Sequence, residues 1–393
     1  MADTLTIGIT CYPTIGGSGI VATELGRELA KRGHKVHFIS YDPPFRFDAA
    51  EDGVTFHQVK LNEYTLFKYP DYTLPLAVKM NEVHQKHHLD ILHVHYAVPH
   101  ATAALLARQI AVHMRAAHEV PGSITGPRVV TTLHGTDITL LGLDPNLQPI
   151  IEYSIDSSCG VTAVSESLKR QTYQLFAIKK EIKVIYNFYN QKPPTQSRDH
   201  VRHELGIASD EIVVIHLSNM RPVKRIPDLL RTAAEVDTKI PIKFLIIAGG
   251  NFNVYAPLVD ELKIKERVIV KQNVLNIEDY LQAADIGFFP SEDESFGMGI
   301  LECMSFGLPV VTTRAGGIPE VVDEGKSGML HTVGDTTSMA RDLSRLAGEK
   351  KLRDEMGAHA RERAQKYFSA ESIVNQYIEY YYTILEEKKA KEC

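Results

Sequence analysis

The stretch DIGFFPSEDESFGMGILECMSFGLPVV, residues 285–311, carries a whole repeat of a fold in one line of sequence. Asp285–Pro290 reads as a short apolar strand, the acid- and glycine-rich run up to Gly297 as a loop, and the segment from Met298 as a helix stopped by Gly307. A second β-branched run begins at Pro309. Such a strand–loop–helix–strand series belongs to a parallel sheet with helices covering its faces.

The same alternation extends outward in both directions. On the N-terminal side, strands are expected at 5–11, 35–40, 54–59, 91–95, 128–133, 160–164 and 182–186, with helical patterns between most of them. In the first helix Val21, Leu25 and Leu29 form one apolar stripe, and Gly33 ends it. The polar, Pro-containing segment 187–200 breaks the rhythm and reads as a linker. Strands then resume at 211–218, 242–249, 267–272, 285–290 and 309–313. The expected organisation is an α/β chain of two Rossmann-like doubly wound domains, 1–188 and 198–369. A C-terminal helix, 370–393, is expected to return to the first domain and to bury Ile373, Tyr377, Tyr381 and Ile384 on one face.

Bulk properties agree with this organisation and exclude several function classes. A chain of 393 residues exceeds one ordinary core, and 44% hydrophobic with 23% charged residues is normal for a folded protein. The formal net charge of −6 gives no case for a nucleic-acid partner or an anionic membrane surface. No stretch approaches the roughly 20 apolar residues that span a bilayer. The cysteines, Cys11, Cys159, Cys303 and Cys393, form no CxxC pair, so a reduced, cytoplasmic setting is expected.

Chemistry-bearing residues gather where strands end. PTIGGSGI (13–20) follows the first strand and opens a helix; its glycines let backbone approach a ligand, but it is not the GxGxxG dinucleotide fingerprint. TTLHGTD (131–137) places His134 as a hydrogen-bond donor, with Asp137 positioned to orient the loop. SNMRPVKR (218–225) clusters Arg221, Lys224 and Arg225, cations suited to phosphate oxygens. In the opening stretch, the amides of Gly297, Met298 and Gly299 sit at a helix start and suit a diphosphate, while Glu294 and Glu302 suit sugar hydroxyls. GGIPE (316–320) supplies another glycine turn able to close the same pocket. Each loop alone also has a bland reading as a turn. The run His84, His87, His88, His93, His95 and His100 lacks an accompanying Cys or carboxylate pattern, so no metal site is expected there; His95 and Tyr96 are expected to line a cleft.

Taken together, these motifs resemble the retaining glycosyltransferases of family GT4, whose two domains form a GT-B fold facing a cleft. ESFGMGILE (294–302) matches the family's Glu–seven residues–Glu pattern, and the glycine loop, HG turn, basic cluster and AGGIPE match its companions. The family often carries Arg five residues before its conserved Lys; here that position is Asn219, and Arg221 lies nearer. The stretches 8–26, 93–101, 131–142 and 216–225 are similar to a member of the bacillithiol pathway that moves N-acetylglucosamine from UDP-GlcNAc to the hydroxyl of L-malate.

That resemblance implies a catalytic set of His134, Glu294, Arg221 and Lys224. It implies donor contacts from Gly17, Ser18, Asn219, Phe296, Gly297, Met298, Gly299 and Glu302, and acceptor contacts from Ser18, Tyr96, Thr131 and Arg314. It further implies no cofactor and no metal, the charge on the leaving diphosphate being met by protein groups, and a homo-oligomer. The rival readings are a transferase using inositol phosphate or a polysaccharide, a UDP-GlcNAc 2-epimerase, and a non-catalytic sugar-nucleotide binder.

Overall fold

The computed structural model describes residues 4–13, 17–44, 47, 53–61, 72–117 and 126–386, the side chains of 115–117 excepted. Thr14–Gly16 of the first glycine loop, Cys393 and the tail beyond 386 therefore lie outside the described residues. The chain divides into two compact units, residues 1–186 with 370–393, and residues 187–369.

The first unit is built on strands β1 (Thr6–Thr10), β2 (Lys35–Ser40), β3 (Val54–Gln58), β4 (Ile91–His95), β5 (Arg128–Leu133), β6 (Gly160–Ala163) and β7 (Ile182–Val184). The second contains β8 (Ile212–Ser218), β9 (Ile242–Ala248), β10 (Val268–Gln272), β11 (Ile286–Phe289), β12 (Val310–Thr313) and β13 (Gly328–His331). Every ladder is parallel. The first sheet runs β3-β2-β1-β4-β5-β6-β7 and the second β10-β9-β8-β11-β12-β13. Each has the doubly wound order, reversing once: between β1 and β4, and between β8 and β11. In open sheets of this type, ligands bind beyond the carboxyl ends of the strands at that reversal.

Sequence pattern accounts for the cores. The central strands are apolar on both faces because helices cover both, and Ile7, Ile9, Leu92, Val94, Val213 and Ile215 are all buried. Helix Gly17–Lys31 buries the stripe Val21, Leu25 and Leu29. Helix Ala370–Glu386 buries Ile373, Tyr377, Tyr381 and Ile384. It lies on the first sheet, where Tyr381 Oη meets His93 Nδ1 at 2.7 Å and Tyr380 Oη accepts from the Val161 amide at 3.0 Å.

Residues 187–200 are held by the second unit. Buried Asp279 accepts from the amides of Thr195 and Gln196 at 2.6 and 3.1 Å and from the Thr195 hydroxyl at 2.7 Å. β13 lies outside the sequence expectation. Among the described residues no helix is long and apolar enough to cross a membrane, and Cys11, Cys159 and Cys303 are buried.

Candidate active site

The second unit brings two loops together at the reversal between β8 and β11. The turn after β8 holds Met220 and Arg225 at positive φ (47° and 51°), which folds the basic cluster back over the sheet end. Lys224 Nζ donates to Glu294 Oε1 at 2.6 Å, and the Ser291 hydroxyl donates to the same oxygen at 2.9 Å. The loops are joined again by the Glu292 amide, which donates to the Val223 carbonyl at 2.8 Å, and by Arg225 Nη1 with Glu292 Oε2 at 3.1 Å.

The backbone of Glu294 is also fixed. Its carbonyl accepts from the Gly317 amide at 2.7 Å, and a Cβ on Gly316 would stand 2.1 Å from that oxygen. Gly316 also has φ +52°, so the GGIPE turn closes on the Glu294 loop in a way that only glycine permits. The Thr313 hydroxyl anchors the loop's start by donating to the Ser291 carbonyl at 2.6 Å.

Beside this pair, helix Met298–Ser305 begins. Gly297 O accepts from the amides of Ile300 and Leu301 at 3.1 Å, while the amides of Met298 and Gly299 precede those bonds, lack intrahelical acceptors and carry the helix's positive pole. A Cβ on Gly299 would come within 2.8 Å of the Phe289 ring and 3.1 Å of the Leu217 carbonyl, so glycine lets the helix start rest on β8 and β11. Glu302 is buried one turn further on. Asp293 is raised above the ordinary carboxyl value by burial and by the charge of Glu294, against the pull of Lys224 and Arg221. Beneath the basic turn His216 joins the Phe288 carbonyl (2.9 Å) and the Ser218 hydroxyl (2.8 Å), and burial pushes it down to about 4.

In the first unit, the loops after β1, β4 and β5 converge. His95 Nδ1 lies 2.7 Å from His134 Nε2, and their rings stack at 5.0 Å. The Ser18 and Tyr96 hydroxyls are 2.5 Å apart. Asp137 ties the loops together, accepting from the Ala97 amide at 2.8 Å and the Gly135 amide at 3.2 Å; burial raises its carboxyl to about 6 despite those bonds. Burial holds His134 down at about 3, so its ring is neutral at physiological pH and acts as a hydrogen-bonding group. The His95 Nε2 atom is buried without a hydrogen-bond partner among the described residues. A bare ring nitrogen tolerates that position better than an N–H, so we assign the His95 proton to Nδ1. His134 Nε2 then accepts, and its own proton sits on Nδ1.

The structure thus assembles Lys224, Glu294, Gly297, Met298, Gly299 and Glu302 in one unit, with Arg221 and exposed Asn219 on the adjoining turn. It assembles Ser18, Tyr96 and His134 in the other, with Gly17 at the helix start. Three of the expected residues have their side chains engaged elsewhere. Thr131 is fully buried and its hydroxyl bonds to Ser158 at 2.8 Å, because β5 is an inner strand covered on both faces. Arg314 is in the second unit and is engaged in a two-pronged pair with Glu324. The Phe296 ring is core, packed edge-on against Phe368 at 5.6 Å, which leaves its backbone as the contact it can offer a donor. Sequence reading missed Ser291, whose signal was its place directly after a strand end, and Tyr12, which packs on Tyr96 and His100 at 5.6 and 4.5 Å.

Two parallel sheets that reverse at corresponding points, each with polar groups beyond the reversal, match the GT-B fold of glycosyltransferases. The family models agree: "Glycosyltransferase Family 4" matches residues 15–192 and "Glycosyl transferases group 1" matches 197–363. The chain belongs to the retaining family-4 glycosyltransferases. It is 43% identical over 389 residues, 98% of each chain, to N-acetyl-alpha-D-glucosaminyl L-malate synthase of Bacillus anthracis. It is 33% identical over 184 residues, 44% of this chain and 43% of the relative, to D-inositol 3-phosphate glycosyltransferase of Saccharomonospora viridis. Among solved structures, Anabaena Alr3699/HepE in complex with UDP-glucose superposes with a TM-score of 0.77 at 19% identity, covering 96% of this chain and all of that one.

Proposed function

We propose that the protein transfers N-acetylglucosamine from UDP-GlcNAc to the hydroxyl of L-malate with retention of the anomeric configuration, in the cytoplasm. The observation that carries this reading is the Lys224–Glu294 pair beside the start of helix Met298–Ser305. It comes in a chain similar over its whole length to a malate-accepting enzyme.

The roles follow from the chemistry of the groups. An ammonium has three donors, and Glu294 takes one, so Lys224 can also reach a phosphate oxygen. Arg221 and the first-turn amides of the helix add positive potential where the diphosphate departs, a preorganised stabilisation of developing charge. These groups supply the charge that a divalent cation would otherwise bring. Glu302 receives the ribose hydroxyls and Glu294 a hydroxyl of the hexose. His134, protonated on Nδ1, donates to the transferred sugar. Ser18 and Tyr96, paired hydroxyls, offer donors to the malate carboxylates. The departing phosphate oxygen takes the acceptor proton as the new glycosidic bond forms and the sugar–phosphate bond breaks.

Release of UDP from UDP-GlcNAc is to be measured with L-malate, inositol phosphate, a polysaccharide acceptor or no acceptor, and the product anomer read by NMR. Malate-dependent release with an α product is expected. Turnover with another acceptor in place of malate, or acceptor-free formation of UDP-ManNAc, overturns the reading.

A further inference from the structure

Three histidines far apart in the chain meet at the outer edge of the first sheet: His37 on β2, His57 on β3 and His87 at the end of helix Thr73–His87. The register pairs Ile39 with His57, so His37 and His57 are diagonal neighbours on one face. Helix Thr73–His87 packs against β2 and delivers His87 to the same spot. Ring centroids lie 4.3 Å apart for His37–His87, 5.1 Å for His37–His57 and 5.4 Å for His57–His87.

We infer that His37, His57 and His87 form a zinc site that ties β3, the edge strand, to β2 and the helix. One ligand nitrogen from each ring lies within 4.8 Å of the other two. Tetrahedral zinc with Zn–N bonds of about 2.0–2.1 Å places its nitrogens about 3.3 Å apart. The His37 Nδ1–His57 Nε2 distance of 2.9 Å must open slightly and the longest separation must close, changes that ring rotations supply. His87 Nε2 is buried without a hydrogen-bond partner among the described residues, an orphaned lone pair or N–H that a bond to a metal would satisfy.

Burial, followed by repulsion between the rings, pushes His37 and His57 down to about 4, which keeps both in the neutral form that binds metal. Three imidazoles suit zinc better than the hard cations magnesium and calcium, and three protein ligands leave the fourth tetrahedral position to a water. Lys35, Lys79 and Lys86 add like charge nearby, which sets the affinity below that of a site with a carboxylate ligand. The pattern escapes a linear reading, since only His87 belongs to the histidine-rich run. Of that run, His93 holds the C-terminal helix through Tyr381, while His95 and His100 support the loop after β4.

The test uses the full chain, stripped with a chelator and titrated with zinc against a chromophoric competitor, with cobalt substitution as a spectral probe. His57→Gln and His87→Gln are half-buried replacements outside the transferase site, and retained turnover and circular dichroism report that each variant is folded. One equivalent of zinc is expected, with intense four-coordinate cobalt bands. Each variant should bind at least tenfold more weakly and lose those bands, and zinc should raise the unfolding midpoint of the parent alone. Equal binding by parent and variants overturns the inference. Uptake of copper or nickel without zinc overturns the assignment of the metal.

Discussion

Lys224 and Glu294 are first of all partners of one another. With their side chains only 18% and 13% exposed, each offsets the desolvation of the other, and Ser291 shares the burden on Oε1. Replacing Lys224 by Ala removes a charge-assisted contact to the diphosphate, worth about 1.5–3 kcal/mol, so UDP affinity should fall roughly 10- to 100-fold by calorimetry. Glu294→Ala should act differently. It leaves the cations in place, so UDP-GlcNAc should bind within a few-fold of the parent, while kcat drops on the order of 10²–10³. Equal losses in binding and turnover would mean that Glu294 holds substrate and transition state alike. At Tyr96 the hydroxyl shared with Ser18 is the feature at stake. Tyr96→Phe should raise the KM for malate about tenfold, the worth of one hydrogen bond to a charged group, with kcat little changed in steady-state assays.

Glycine turns fasten the elements that aim these residues. Gly316 meets the Glu294 carbonyl at a distance that no Cβ can share, in a conformation at φ +52° that side chains rarely adopt. Gly316→Ala must therefore push the Glu294 loop away from the turn. An activity loss approaching that of Glu294→Ala, with about 1–3 kcal/mol of stability lost in denaturant melts, is expected. Full activity in that variant would separate the turn from the catalytic geometry. The turn was legible as GG, and the apolar runs marked β2, β4 and β5 to the residue, because buried parallel strands are rich in apolar and β-branched residues. β13 was not legible: GMLH has no β-branched residue and owes its strand state to pairing with β12. Thr131 and Phe296 were misread for a related reason. Proximity along the chain to a site says nothing about whether a side chain reaches it: β5 is covered on both faces, and the Phe296 ring packs in the core.

Across the whole molecule, histidine burial is uneven, and that asymmetry has a thermodynamic consequence. In the first unit burial holds His93 and His134 at about 3 and His100 at about 4, with His95 well below its ordinary value. In the second unit His216 is held at about 4 and His331 is lowered too. A histidine whose native pKa is depressed stays neutral while its unfolded counterpart takes a proton below about 6.5. The unfolded state then binds more protons, so stability falls as pH drops from about 6.5 towards the native values. Asp137 works in the opposite sense. Its carboxyl, raised from 3.8 to about 6, binds a proton in the native state first, so stability rises as pH falls through that window. His37 and His57 are held at about 4 as well, so the depressed histidines of the first unit outweigh Asp137 and its stability falls as pH drops towards 5. The separate cores of the units give calorimetry two transitions to follow. Between pH 7 and 5 the first unit's transition should fall further than the second's, while the ring signals of His93, His95 and His134 stay fixed by NMR. Equal falls, or titration of those rings above pH 5, would refute the neutral buried cluster on which the His134 hydrogen bond depends.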